Sequence, residues 1–189
     1  VSITTATVKN IHVGPGTLVL SRVENGSTVT VTFAATEDGG VLRMNRSVEY
    51  VEAAEVVGPL FAYITSEEVT FELQSLELDA NIISEAYGFG GVTTVAATTG
   101  VPGYDAWAFG GACGLEESSL QYIIPRECKT GALTITIDLY RVVATPDIEQ
   151  RYTRSGKTVY RVAFRALADM SKSLGERIGK ITVQTSEGL

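Results

Sequence analysis

Two long extended runs lie next to each other in this sequence, and no other feature restricts the possible folds as much. From Val41 to about Val57, and again from Leu60 to Leu78, apolar and polar residues alternate, with Gly58-Pro59 as the break between them. Period-two alternation sends successive side chains to opposite faces of a strand, a geometry that β-branched residues favour. Strands ordinarily run five or six residues, so two neighbours of roughly seventeen predict a hairpin that projects beyond its own domain and needs a partner to cover it. The tip of that hairpin falls at Gly58 and Pro59.

The same period recurs along the chain. Thr17 to Val23 and Ser27 to Ala34 read as strands joined by a tight turn at Glu24-Asn25-Gly26, and Glu37-Asp38-Gly39-Gly40 reads as a second turn. Leu120 to Ile124 is a short strand closed by Pro125. Gly131 to Val143 alternates cleanly, with Leu133, Ile135, Ile137 and Leu139 on one face and Thr134, Thr136 and Asp138 on the other. Lys157 to Ala166 and Lys180 to Thr185 add two strands, and the polar stretch Thr145 to Arg154 is a loop or an irregular helix. One short helix is expected after Asp79 as N-cap, with Ile82, Ile83, Ala86 and Tyr87 on one face and Gly88 at its end. Residues 88–119 are rich in Gly, Thr and Ala and form a long loop or an inserted hairpin within a single domain spanning 1–189. The expected class is mainly β: an antiparallel sandwich or barrel with one short flanking α-helix and a long β-hairpin.

Composition bears on function mainly by exclusion. With 44% hydrophobic and 20% charged residues the chain has the material for a core. A net charge of −7 opposes general nucleic-acid binding, which calls for a basic stripe. No run has the length of a membrane span and the first residues lack a signal-peptide pattern, so a non-exported protein with reduced Cys113 and Cys128 is expected. The one histidine, His12, has no obvious partner for nucleophilic or metal chemistry. Gly14-Pro15-Gly16 and Gly88-Phe89-Gly90-Gly91 lack the lysine and the strand-turn-helix setting of a phosphate loop. Glu67-Glu68 and Glu116-Glu117 read as acids of solvated faces rather than a catalytic pair. The expectation is a non-enzyme with no cofactor and no metal.

Acidic residues on the long hairpin carry more meaning. Val69, Phe71 and Leu73 share one strand face, and Glu68, Thr70, Glu72 and Gln74 share the other. Glu49 alternates with Val48 and Tyr50 on the preceding strand, and Asp138 adds an acid to a polar face elsewhere. Such a face is either a solvated exterior or the acidic lining of a channel. Lys157, Arg161 and Arg165 share one parity and are expected on an outer or intersubunit face, paired with acids.

The order of these elements resembles a known family. A strand pair precedes a long hairpin with the phrase Tyr63-Ile64-Thr65-Ser66-Glu67-Glu68-Val69-Thr70-Phe71-Glu72-Leu73; a strand end and short helix follow over Leu76 to Tyr87. The late block Val159 to Leu167, then Ala168-Asp169 and Gly179-Lys180-Ile181, completes the pattern. Over residues 14–90 and 120–183 the chain resembles the major tail tube proteins of long-tailed, siphovirus-like bacteriophages, through element order rather than an invariant motif.

The resemblance implies a virion protein that forms hexameric rings stacked head-to-tail into a hollow conduit for DNA ejection. It implies Glu49, Glu68, Glu72 and Asp138 as acidic residues facing the lumen, and Gly58 and Pro59 as the tip of a hairpin that joins rings. The implied partners are further copies of the chain, tape-measure, tail-tip and tail-terminator proteins, and DNA that passes without specific binding; no membrane is involved. Assembly would take place in the host bacterial cytoplasm. The alternatives are a capsid decoration or receptor-binding β-sandwich module of a virion, which would not form tubes, and a small β-barrel enzyme or ligand-binding protein, which would show an apolar pocket with convergent polar groups.

Overall fold

In a computed structural model the chain is described at residues 16–24, 26–33, 36–52, 57–76, 84, 87, 92–108, 110, 115–125, 133–145, 150–151 and 159–184. It is mainly β and antiparallel throughout, in a sandwich-like arrangement. The strands are β1 (Thr17–Glu24), β2 (Ser27–Phe33), β3 (Thr36–Glu52), β4 (Pro59–Ser75), β5 (Thr93–Val95), β6 (Tyr104–Ala106), β7 (Glu117–Pro125), β8 (Thr134–Ala144), β9 (Gln150–Arg151), β10 (Val159–Ala166) and β11 (Gly179–Val183). The main sheet runs β2-β1-β7-β8-β10-β4-β3, with β11 added to β8 and β9 to β10; β5 and β6 pair by themselves.

One sheet becomes two layers because β8 changes partner along a single edge. Its first half lies opposite β11, with Ile137 facing Ile181, and its last residues lie opposite β10, with Ala144 facing Phe164. The change occurs at an irregularity. Against β7, Ser118 pairs with Val142 and Leu120 with Leu139, so β8 spends three steps where β7 spends two. That extra residue is a β-bulge, which bends a strand and raises its twist. Tyr140 N donates to Ile178 O at 3.2 Å, and Leu167 N donates to Arg141 O at 2.8 Å, so the bulge separates the two partners. The inward set shifts accordingly, from Ile137 and Leu139 to Val142 and Ala144. The unbroken alternation expected over 131–143 therefore slips by one residue at Tyr140-Arg141.

Between the layers lies one apolar core. Leu18, Leu20, Phe33, Leu120, Tyr122 and Leu139 from β1, β2, β7 and β8 meet Val69, Phe71, Leu73, Tyr160, Val162 and Phe164 from β4 and β10. Phe71 and Tyr122 join the layers, with ring centroids 5.0 Å apart and tilted by 55°. The Tyr122 hydroxyl accepts backbone N–H bonds from Gly40 at 2.8 Å and Gly16 at 3.1 Å, so a ring buried among apolar groups keeps its polar tip satisfied. A Cβ at Gly40 would run into the Phe71 ring, which explains a glycine there. The turn expected at 37–40 is a correction: these residues begin β3, and the register shift between Thr36 and Gly40 marks a bulge rather than a reversal.

Elsewhere the expected strands are present with bounds moved by a few residues, and Thr145 to Arg154 holds the short β9. The 88–119 segment holds a small exposed hairpin, with Thr94 opposite Asp105, anchored by the half-buried Trp107 against the core. Of the expected helix only Ser84 and Tyr87 are described, both buried; Asp79, Ile82, Ile83 and Ala86 lie outside the described residues, as do His12, Cys113 and Cys128.

Replacing Tyr122 with Phe leaves two interior N–H donors without an acceptor and keeps the ring. Such groups cost about 1–3 kcal/mol to bury unsatisfied. Urea denaturation of Tyr122→Phe is expected to show a loss of about 2 kcal/mol with an unchanged slope.

Candidate functional site

The hairpin of β3 and β4 is the most unusual part of the molecule. Each strand has 17 residues, and they stay paired from Thr36 opposite Ser75 out to Glu52 opposite Pro59. Only the base is packed: Val69, Phe71 and Leu73 are buried, whereas all ten residues from Pro59 to Glu68 are exposed. Gly58 sits at φ +110° just before β4, a backbone state that favours glycine, and Pro59 opens the strand opposite Glu52, so both stand on the β4 side of the connection between the strands, whose residues 53–56 lie outside the described ones.

Apolar side chains cover both faces of the projecting arm. Val48 lies opposite Ile64 and Tyr50 opposite Ala62 on one face; Glu49 lies opposite Tyr63 and Val51 opposite Phe61 on the other. Tyr50, Phe61 and Ile64 are 61%, 58% and 53% exposed. The Phe61 and Tyr63 rings lie 6.2 Å apart, and the Tyr63 hydroxyl donates to Glu49 Oε2 at 2.7 Å. That bond holds the Tyr63 hydroxyl above the usual phenol range. Register shifts between Ser47 and Val48 and between Val51 and Glu52 add bulges that twist the arm.

At the base, the outer face carries an ordered set of charges. Glu72 pairs with Arg43 and with Arg161, whose Nη2 lies 3.0 Å from Glu72 Oε2, and Arg165 Nε lies 3.3 Å from Glu68 Oε1. Cross-strand register explains the meeting, since Arg165 and Arg43 both lie opposite Thr70, between Glu68 and Glu72. The Arg43 guanidinium holds the Glu72 carboxyl below the usual carboxylate range; burial opposes it, and Arg161 adds to the lowering. Glu49 stands farther out on the same side of β3. At the base, three guanidiniums thus meet two carboxylates, so the face is not the acidic one that the alternation within β4 alone suggests.

Asp138 is not part of this set. It lies on β8, opposite Lys180 of β11, and accepts a bond from Gln121 Nε2 at 2.8 Å. The structure thus brings Glu68 and Glu72 together with Glu49 along the same strand pair, and leaves Asp138 on the other layer. Arg161 and Arg165 pair with acids; Lys157 lies outside the described residues.

A cleft opens where β3 and β4 leave β8 and β11. Its volume is about 340 Å³, and Leu42, Met44, Val69, Ile137, Leu139 and Ile181 give it an apolar lining. Arg46 and Glu67 line it from the arm side and pair with each other at 2.7 Å, and Arg177 and Lys180 line it from the β11 side. No local pattern announces this cleft, because its two walls come from separate segments, 42–69 and 137–181.

Among the described residues no group of three or more His, Cys, Asp or Glu could hold a metal ion, and no helix is long and apolar enough to cross a membrane. Comparison with protein-family models and with curated proteins gives no match for this chain.

The Glu72 pairs fix a pH dependence. A carboxyl whose folded pKa is depressed contributes stability above its unfolded pKa, about 4.3 for Glu, and loses it as pH falls through the folded value. Glu72→Gln is therefore expected to be less stable than the parent by up to about 1 kcal/mol near pH 7, with the difference shrinking as the pH falls below about 4.3, as read by urea denaturation across that range.

Proposed function

We propose that this chain is a structural, non-enzymatic virion protein: the tail tube subunit of a long-tailed bacteriophage, forming hexameric rings that stack into a conduit for DNA. The observation that carries this reading is the arm, whose outer half exposes Val48, Tyr50, Phe61, Tyr63 and Ile64 on two faces of a two-stranded ribbon. A hairpin of this kind is at best marginally stable in water on its own. An apolar surface of that kind marks a contact site, and a pair of strands with apolar groups on both sides fits between neighbours rather than against a single partner.

Sheet edges support the same reading. Among the described residues β2, β3 and β11 are each paired on one side only, and open edges favour strand addition from another chain. Contacts between unlike patches of one chain give rings when the rotation closes and filaments when it does not. In this reading the β10-β4-β3 face lines the bore. Its guanidiniums are already engaged by Glu68 and Glu72, so they offer phosphates little of the counterion release that binds DNA. Tape-measure, tail-tip and tail-terminator proteins would be the other partners.

Negative-stain electron microscopy of the purified chain across a concentration series is expected to show hollow tubes or stacked rings of uniform bore. Compact monomers or trimers at every concentration, unchanged when a tail-tip complex is added, would replace this reading with that of a decoration or receptor-binding module.

A further inference from the structure

The arm and the cleft are complementary surfaces on one molecule. The described outer arm, 47–52 and 57–66, holds Glu49 and Glu52 and no lysine or arginine. The cleft is the reverse. Its arm-side charges, Arg46 and Glu67, cancel in their own ion pair. That leaves Arg177, which makes no ion pair among the described residues and whose Nε reaches only Lys172 O, at 3.4 Å; Lys180 stands opposite Asp138, on the face of β11 away from the Ile137-Ile181 pair. An apolar, acidic projection therefore faces an apolar recess with a basic margin. At about 340 Å³ the recess lies at the small end of ligand-sized clefts, which run from roughly 300 to 1,000 Å³, and suits one or two side chains rather than a helix or a further strand.

The arm cannot fill the cleft of its own chain. β3 and β4 remain paired over their whole length, and Met44, Arg46 and Glu67 at the arm's base already form one wall, so the tip is carried away from the recess. We infer that the cleft between β3-β4 and β8-β11 is the seat for the arm of a second copy of this chain, with the Phe61-Tyr63 face against the apolar lining and the Glu49 carboxylate toward Arg177. This inference rests on the reading of the chain as self-assembling and adds which two surfaces meet. The contact is heterologous, since the patch that inserts differs from the patch that receives, and each copy keeps one free arm and one free cleft for the next. The edge of β11 borders the seat, so an inserted arm can also take up its open backbone groups.

The test uses two full-length variants, Phe61→Asp in the arm and Ile181→Asp in the cleft. Both positions are half-exposed or more, and circular dichroism checks that each variant is folded. Sedimentation velocity is expected to show that each alone needs more than about tenfold the parent's concentration to associate, because a charge in a central apolar contact removes most of its affinity. An equimolar mixture is expected to give a heavier species with both chains in equal amount, formed by the intact arm of one and the intact cleft of the other. Glu49→Lys combined with Arg177→Glu is expected to recover association that either change alone weakens. Association at the parent's threshold by either variant, or a mixture with no joint species, would overturn the inference while leaving self-assembly standing. A parent chain that never associates would remove both.

Discussion

The bulge at Tyr140-Arg141 in β8 is the constraint from which the other features descend. Without it, β8 would keep one partner along each edge and the molecule would be a single open sheet with its apolar face in water. The extra residue lets β10 take the edge that β11 has just left, and β10 brings β4 and β3 into a second layer. Bulges re-aim side chains as well as backbones. Here the re-aiming keeps Val142 and Ala144 in the core after Ile137 and Leu139 have occupied it. The fork also leaves a gap between β11 and the base of the arm, so the cleft and the two-layered core have a single cause.

Charges on the outer face do different work. Exposed ion pairs contribute little to stability, about 0–1 kcal/mol each, so Arg43, Arg161 and Arg165 are poorly explained as supports of the fold. Their effect is on the potential of the surface. With an acid beside each guanidinium, the face offers neither a stripe of free cations nor a block of free anions. A polyanion close to it would meet local dipoles that alternate over distances shorter than the Debye length of about 8 Å at physiological salt. The net charge of −7 must therefore reside elsewhere on the molecule, including the outer arm with Glu49 and Glu52.

The sequence reading succeeded where structure is local and periodic. Alternation over 41–57 and 60–78 predicted the long hairpin, and Gly58-Pro59 marked the start of its return strand, because strand geometry is written two residues at a time. It failed where a residue answers to a distant one. Gly39-Gly40 resembled a turn, yet Gly40 is small because Phe71 and Tyr122 press against it from two other strands. Glu68 and Glu72 looked like an acidic face because the arginines that neutralise them sit on β3 and β10, and only register brings them together. The cleft and Arg177 were invisible for the same reason. A residue's parity within its strand can be read from sequence; the identity of the neighbouring strand cannot.

A hairpin that leaves its domain sets a problem that its own sequence does not solve. Backbone hydrogen bonds hold β3 to β4, but those bonds were equally available to water, and their net worth is small, about 1 kcal/mol each. What stabilises a ribbon is the burial of its faces, and beyond Glu67 and Glu68 none of the described residues buries them. Natural edge strands avoid stray pairing by carrying lysine or inward-pointing charge. The outer arm has no lysine or arginine; it has aromatic and branched side chains on both faces with Glu49 and Glu52 among them. That composition discourages contact between two arms, whose acids repel, and favours contact with a basic, apolar surface. The arm's exposure is then a specification of its partner, written in the same residues that make it costly to leave uncovered.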